Sequence, residues 1–356
     1  MRAGAPDEVL TGVCGWRPVV SSWLGGTWLA DVPVSRGRAT AKLNGADLSE
    51  QLTLTVPRWD GRDWLPGDDP RHPLARYGQE LQASIIVTSA VTGQEWETRI
   101  GRFLVTDWDE SDAGISVTAE GLLRRVADDK LIAPLQPTGT LVSEARRLLP
   151  LGMSAAFDPA LVDRTCPAGM AWSQDRLEAL KEIAAAWPAR LRTDEWGQVR
   201  FLAPLPDEPT PILRLVDGER GTLIAAPRSD TRAGAYNRVI ARSSAADRED
   251  VQAIADQTTG PMSVTGDYGV VTREWSSPLL ENRSTANTAA ISMLRSSLLP
   301  TQTIPARCAP DPRVQIEDPV EVVRNGEPPI WGWVTGVDIP LTVADGEQRV
   351  DVGVAA

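Results

Sequence analysis

Apolar and polar residues alternate strictly over residues 115–120, which read Ile-Ser-Val-Thr-Ala-Glu. A period of two places the apolar side chains on one face of a strand and the polar side chains on the other. Residues 99–107 form the preceding segment, and the polar run 109–114 between them supplies residue types that form turns. The pattern predicts a β-hairpin over residues 99–121.

A weaker copy of this hairpin lies near the other end of the chain. Residues 332–338 (Gly-Trp-Val-Thr-Gly-Val-Asp) align with residues 101–107 (Gly-Arg-Phe-Leu-Val-Thr-Asp), with glycine and aspartate in matching places. Valine alternates with other residues over 350–354, so we expect residues 116–119 and 351–354 to be equivalent. A further alternating strand precedes each copy. We therefore predict that one β-unit occurs twice.

Helical spacing replaces alternation in the middle of the chain. Thr140 is expected to cap a helix that ends at Leu149, and Ser173 to cap a second helix. A hairpin is predicted over residues 190–201, and a third helix over residues 284–299.

These patterns predict a β-dominated α+β chain with two similar tube-type β-barrels, the second one interrupted, and two small α/β domains. Residues 1–127 are expected to form the first barrel, and residues 128–206 a small helix-and-hairpin α+β domain. The second barrel is expected to combine residues 207–245 with 300–356. Residues 246–299 are the predicted α/β insertion between its two parts.

The composition excludes several classes of protein. The net charge of −12 disfavours a sequence-independent surface for DNA or RNA, which requires clustered Lys and Arg. The three cysteines are widely separated, which argues against a disulfide framework and a structural zinc site. The first residues lack an apolar signal segment, and no run reaches the ~18 apolar residues of a membrane span. We therefore expect folding in a cytoplasm and no membrane insertion.

No residue pattern selects a catalytic, cofactor-binding or metal site, so we predict that the chain has no catalytic residues, no cofactor and no bound metal. The single histidine, His72, lies in a breaker-rich loop and is expected to be solvated. The acids of 107–112 lack the order of a calcium loop and are interpreted as a charged turn. Many carboxylate pairs exist for glycoside hydrolysis, but nothing selects one. Trp59 and Trp64 are expected to contact a neighbouring subunit, with sugar stacking as the alternative.

The order of parts resembles the tail hub proteins of tailed bacteriophages, and most closely the minor tail proteins of siphophages that infect actinobacteria. Local features support this resemblance: residues 76–81 lead to 100–103, Tyr-Asn-Arg-Val occupies 236–239, and residues 311–314 precede 318–322. In that family a glycine often stands before the aspartate of the last segment, where this chain has Glu317.

The resemblance implies a non-enzymatic homotrimer. Three chains with two barrels each would form a ring that continues the hexameric tail tube and lines a DNA channel, with a neutral or negative lumen. Implied partners are the distal tail or tail tube protein hexamer, the tape measure protein and a tail tip, spike or fibre protein, with DNA only in transit. The expected location is the virion tail tip, after assembly in the host cytoplasm. Two alternatives are a carbohydrate-binding or peptidoglycan-degrading tail protein and a contractile-injection hub.

Overall fold

The computed structural model describes residues 1–206, 210–219, 221–232, 234–245, 250–298 and 302–354. The strands are β1 (Cys14–Leu24), β2 (Thr27–Val32), β3 (Arg36–Asn44), β4 (Asp47–Val56), β5 (Gln79–Ser89), β6 (Glu95–Ser111), β7 (Gly114–Gly121), β8 (Ala155–Phe157), β9 (Arg190–Thr193), β10 (Val199–Leu202), β11 (Leu213–Val216), β12 (Leu223–Ala225), β13 (Ser229–Asp230), β14 (Arg238–Arg242), β15 (Gln252–Asp256), β16 (Thr272–Ser276), β17 (Gln302–Cys308), β18 (Pro319–Val323), β19 (Ile330–Pro340) and β20 (Gln348–Val354). The helices are α1 (Asp7–Leu10), α2 (Leu123–Asp128), α3 (Leu141–Leu148), α4 (Arg176–Ala186) and α5 (Arg283–Leu298), with a 3-10 turn at Val343–Asp345. None of the described helices has the length and apolar character that crossing a lipid bilayer requires.

Fourteen strands form one large sheet, and eleven of them lie in the order β12-β17-β20-β19-β3-β4-β7-β6-β5-β1-β2. Strands β13, β18 and β11 attach beside this path, to β17, β19 and β18 respectively. The β-dominated α+β class is confirmed. The two separate barrels are not, because no closed barrel forms among the described strands. The reason is the pairing of β3 with β19, which joins the two ends of the chain edge to edge in one sheet.

The large sheet contains two β-regions with the same strand order, the first centred on β4 to β7 and the second on β17 to β20. Strands β4, β5, β6 and β7 follow one another along the chain and lie in the order β4-β7-β6-β5. Strands β17, β18, β19 and β20 also follow one another along the chain. They lie in the order β17-β20-β19-β18, again with antiparallel neighbours. The predicted duplication is therefore visible as a duplicated topology.

A threonine marks the same place in each copy. Thr106 is the extra residue of a β-bulge where β6 faces β7, and Thr335 is the extra residue where β19 faces β20. The Thr106 hydroxyl donates to the Thr118 carbonyl at 3.2 Å, and the Thr335 hydroxyl donates to the Asp351 carbonyl at 3.2 Å. The two bulges provide a register mark that is independent of the alternation.

The predicted alignment of the copies is wrong by two residues when this mark is used. Thr106 and Thr335 correspond, so residue 101 matches residue 330, and residues 116–119 match 349–352 instead of 351–354. Gly101 and Gly332, which suggested the first alignment, are in different surroundings. A Cβ on Gly332 would lie 2.3 Å from the Gly353 carbonyl oxygen, whereas a Cβ on Gly101 would meet only the Phe103 ring.

The buried side chains form two clusters. One contains core residues of both β-regions of the large sheet. The other combines the helices α3, α4 and α5 with two three-stranded sheets, β8-β10-β9 and β15-β14-β16. Strand β14 lies within residues 207–245, which were assigned to the second barrel, yet it pairs with β15 and β16. The domain boundaries themselves stay a prediction.

Two of the helix starts test the capping argument. The Thr140 side chain accepts a hydrogen bond from the Ser143 amide at 3.4 Å and caps α3 as predicted. Helix α4 is instead capped by Asp175, whose carboxylate accepts from the Glu178 amide at 3.1 Å, two residues after the predicted Ser173. Helix α5 begins one residue before its predicted start, and its predicted last residue, 299, lies outside the described residues.

Candidate assembly surface

One face of the large sheet is mostly polar across seven adjacent strands, from β17 to β6, where it includes residues 107–111. The alternation that buries the apolar residues places these side chains on the opposite face, and the pairing register aligns them from strand to strand. We call this surface the polar face. Its charged members are five basic residues, Arg36, Arg38, Lys42, Arg307 and Arg349, and six acidic residues, Asp47, Asp107, Asp109, Glu120, Asp338 and Asp351.

Arg38 holds together the two β-regions where β3 meets β19. Its Nε lies 2.6 Å from a carboxylate oxygen of Asp338. Its terminal nitrogens donate to the backbone carbonyls of Asp345 at 2.6 Å and Glu347 at 3.0 Å. A guanidinium presents several donors in a fixed plane, so one side chain contacts both β19 and the turn that leads into β20.

The neighbouring Gly37 allows the same turn to approach closely. Its amide donates to the Asp345 carboxylate at 3.0 Å. A Cβ at this position would lie 2.8 Å from a Leu54 methyl group and 2.9 Å from the Thr53 carbonyl oxygen. Only glycine fits between β4 and the turn without a shift of the backbone.

The helix-and-hairpin region is bound to both β-regions. Arg192 on β9 donates to the Ala46 carbonyl at 3.0 Å, in the turn between β3 and β4, and also forms an ion pair with Glu317, which precedes β18. Arg190 binds the second oxygen of Glu317, and Lys181 on α4 lies 3.2 Å from Asp47. The Glu317 carboxylate is therefore buried between two guanidinium groups, a geometry in which removal of one partner leaves an uncompensated charge.

Glu317 has the only positive φ, 69°, among the described non-glycine residues. The repeat explains its position. Val320 lies opposite Gly332 and Leu81 lies opposite Phe103, so the bulge alignment makes Glu317 equivalent to Gly78, whose φ is also positive at 104°. Sequence reasoning identified the departure from the family glycine but not the ion pairs. The replacement of the family glycine by Glu317 was the feature of the sequence that could have indicated a special role for this residue.

His72 is not a solvated loop residue. Its ring meets the Trp64 ring edge-on at a centroid distance of 6.3 Å, and its Nδ1 accepts from the Leu74 amide at 3.2 Å. Partial burial lowers its pKa from the ordinary value. The contacts with the Trp64 ring and the Leu74 amide fix the position of the His72 ring.

The loop tryptophans differ from each other. Trp59 is 70% exposed, but Trp64 is 4% exposed and packs in the core of its own chain. The prediction that both contact a neighbour is wrong for Trp64, because the loop folds back and places this ring under Arg62, 4.1 Å away. Trp59 alone is available to a partner.

The acidic run 107–112 continues a strand instead of forming a turn. Strand β6 extends to Ser111, and residues 112 and 113 connect it to β7. Glu110 forms an ion pair with Arg58, which also binds Asp63 at 2.7 Å. Across the described ranges, no three His, Cys, Asp or Glu side chains are grouped so that they could hold a metal ion.

The comparisons with known proteins agree on the fold. The chain is similar to a tail protein from Neisseria meningitidis, with 14% identity, a TM-score of 0.61 and coverage of 94% of this chain and 96% of that one. It is similar to a 43 kDa tail protein of prophage MuSo2 from Shewanella oneidensis, with 12% identity, a TM-score of 0.59 and coverage of 94% and 98%. A component of the E. coli type VI secretion system gives 9% identity, a TM-score of 0.50 and coverage of 94% and 77%. No family model matches the sequence, and no curated protein does. At these identities the chain shares the fold of phage tail proteins over nearly its whole length.

Proposed function

We propose that this chain is the structural, non-enzymatic tail hub of a phage virion, located at the tail tip. Three copies form a ring that continues the hexameric tail tube and adapts it to a three-fold tip. The observation that carries the proposal is the duplicated strand order, with the two copies joined edge to edge by β3 and β19. Two similar units side by side in each chain give six positions in a ring of three, and closed cyclic symmetry is the usual solution for such assemblies.

The polar face suits the lining of a channel through which DNA passes. Its five basic and six acidic residues leave it close to neutral. A lining rich in arginine would bind phosphates and release counterions, which would hold the DNA in place. In this arrangement DNA passes through the channel without stable binding. The stably bound partners are the distal tail or tube protein, the tape measure protein and a spike or fibre protein.

The alternative of a carbohydrate-binding tail protein has less support in the structure. It was based on two loop tryptophans, and Trp64 is buried. Incubation with actinobacterial cell walls should release no soluble muropeptides. Release that a single carboxylate substitution abolishes would contradict the structural role.

Cryo-electron microscopy of the assembled tail tests the proposal directly. We expect three copies in a ring below a six-fold tube, on a non-contractile tail, with the polar face toward the lumen. Any other copy number would overturn the symmetry, a contractile sheath would favour an injection hub, and a lumen lined mainly by arginine would overturn the assignment of the polar face.

A further inference from the structure

The end of β6 is an unused sheet edge. Strand β5 covers one side of β6 only as far as Leu104, whereas β7 covers the other side to Ser111. Along residues 107–111, no strand in the described part of the chain pairs with the side that β5 has left. An exposed edge of this kind presents free backbone donors and acceptors to another strand.

The second β-region shows what covers the equivalent edge. The bulge alignment matches residues 107–111 of β6 with residues 336–340 of β19. Strand β18 likewise leaves β19 before this segment, and there β3 pairs with it, with Asp338 opposite Thr40 and Ile339 opposite Ala39. The chain therefore contains one filled copy and one empty copy of the same junction.

The strand that would fill the empty copy can be identified by register. Ala119 and Val352 correspond, so their partners Leu52 on β4 and Ile304 on β17 correspond as well. Thr40 lies opposite the residue before Leu52, and Ser229 lies opposite the residue before Ile304.

The same comparison gives a second match. Arg36 lies opposite Thr55, and Ala225 lies opposite the equivalent Arg307. Arg36 therefore corresponds to Ala225, and Thr40 corresponds to Ser229. The two residues are four positions apart in each copy, so residues 225–230 are the counterpart of the first part of β3. Their outer side is not paired with any strand of the described ranges.

We propose that residues 108–111 of one copy pair antiparallel with residues 227–230 of a second copy of this chain, in the register of the β3–β19 junction. This inference rests on the proposed ring and names the strands that close it. Each chain has one such edge of each kind, so the contact is head-to-tail, and a ring of three copies leaves neither of these two edges unpaired.

Charge favours the same register. Transferring the junction's pairs places Asp109 opposite Ser229 and Glu110 opposite Arg228. Within one chain Glu110 binds Arg58 and Arg228 binds Glu327, at 2.6 Å for the latter pair. Pairing of the two copies would bring these ion pairs side by side with opposite charges facing each other, which stabilises cross-strand pairs.

Cysteine cross-linking of the full chain tests the register. Directly opposed residues have Cβ atoms close enough for a disulfide, so we would prepare Asp109→Cys with Ser229→Cys in a Cys14→Ser background. Cys166 and Cys308 are buried and can stay. Under mild oxidation we expect covalent species of up to three chains, and a mixture of the two single variants should give only mixed dimers. Val91→Cys with Ser229→Cys is the matched control, because Val91 is exposed on the nearby turn between β5 and β6.

A charge exchange gives a second measurement. Glu110→Arg or Arg228→Glu should lower the cross-linked yield by about two- to fivefold, and the double variant should restore it. The inference is overturned if Asp109→Cys/Ser229→Cys cross-links no faster than the control at the highest soluble concentration, even if three-copy rings are seen in tails. Cross-linking in tails that lack a three-copy ring would instead support the strand contact and contradict the proposed hub.

Discussion

The two β-regions share four central strands and differ at their flanks. In the first region β5 continues into an antiparallel pair with β1, whereas in the second β18 pairs with β11 in parallel. The first region has the continuous β3, and the second has the broken pair β12 and β13. The four repeated strands supply the common core, and the flanks determine which edge each region offers. The comparison shows that duplication preserved strand order and bulge position while individual residues changed.

Substitutions at equivalent core positions of the two β-regions are expected to have the largest effect on stability. Val352 and Ala119 are both fully buried and equivalent under the bulge alignment. Val352→Asp should bury an unpaired carboxylate and cost on the order of 3 kcal/mol or more of unfolding free energy, and Ala119→Asp should do the same. Urea denaturation measures both.

Asp351→Asn is the control on the polar face, where a change within about 0.5 kcal/mol is expected. A wild-type melting temperature for Val352→Asp would mean that this side chain faces solvent and that the assigned register is wrong by one residue.

Substitutions at Glu317 and at the equivalent Gly78 distinguish the contribution of backbone conformation to stability from that of side-chain contacts. Glu317→Ala leaves Arg190 and Arg192 without their shared partner in a site where Glu317 is 7% exposed, and should cost about 3 kcal/mol. Glu317→Gly loses the same ion pairs but favours the positive φ, so it should be about 1 kcal/mol less destabilising than Glu317→Ala.

Gly78→Ala provides the opposite change at the equivalent position. It should cost about 1 kcal/mol, because alanine disfavours a φ of 104° and no buried ion pair is lost. Equal stabilities for Glu317→Ala and Glu317→Gly would contradict the conformational part of this explanation.

Arg38→Ala tests the junction of the two regions. The side chain makes one ion pair and two carbonyl contacts across the junction, so its removal should cost about 2 kcal/mol. Arg38→Lys should recover only part of this loss, since an ammonium lacks the planar arrangement of donors. Arg36→Ala, on the same strand and exposed, is the control, and an equal loss there would rule out a specific role for Arg38.

The smallest effect concerns pH. Burial lowers the pKa of His72, so the folded chain binds this proton less tightly than the unfolded chain. Its contribution to stability is complete above the unfolded pKa and is lost as the pH falls through the folded pKa. Unfolding free energies at pH 7 and pH 5 should therefore differ more for the wild type than for His72→Gln. An identical pH dependence would mean that the ring titrates as in the unfolded chain.

The sequence by itself determined the strands of the two repeated hairpins, the duplication and the cap of α3, because these depend on local alternation and on side chains within one turn. It did not determine the register of the copies. A shift of two residues leaves every side chain on the same face, so alternation cannot distinguish the two alignments, and only the Thr106 and Thr335 bulges do.

Tertiary structure decided the long-range contacts. The pairing of β3 with β19 joins residues about 300 positions apart and converts two expected barrels into one open sheet. The burial of Trp64 and the ion pairs of Glu317 with β9 likewise join segments that no local pattern relates. Such contacts depend on how finished elements meet in space, which period and composition do not specify.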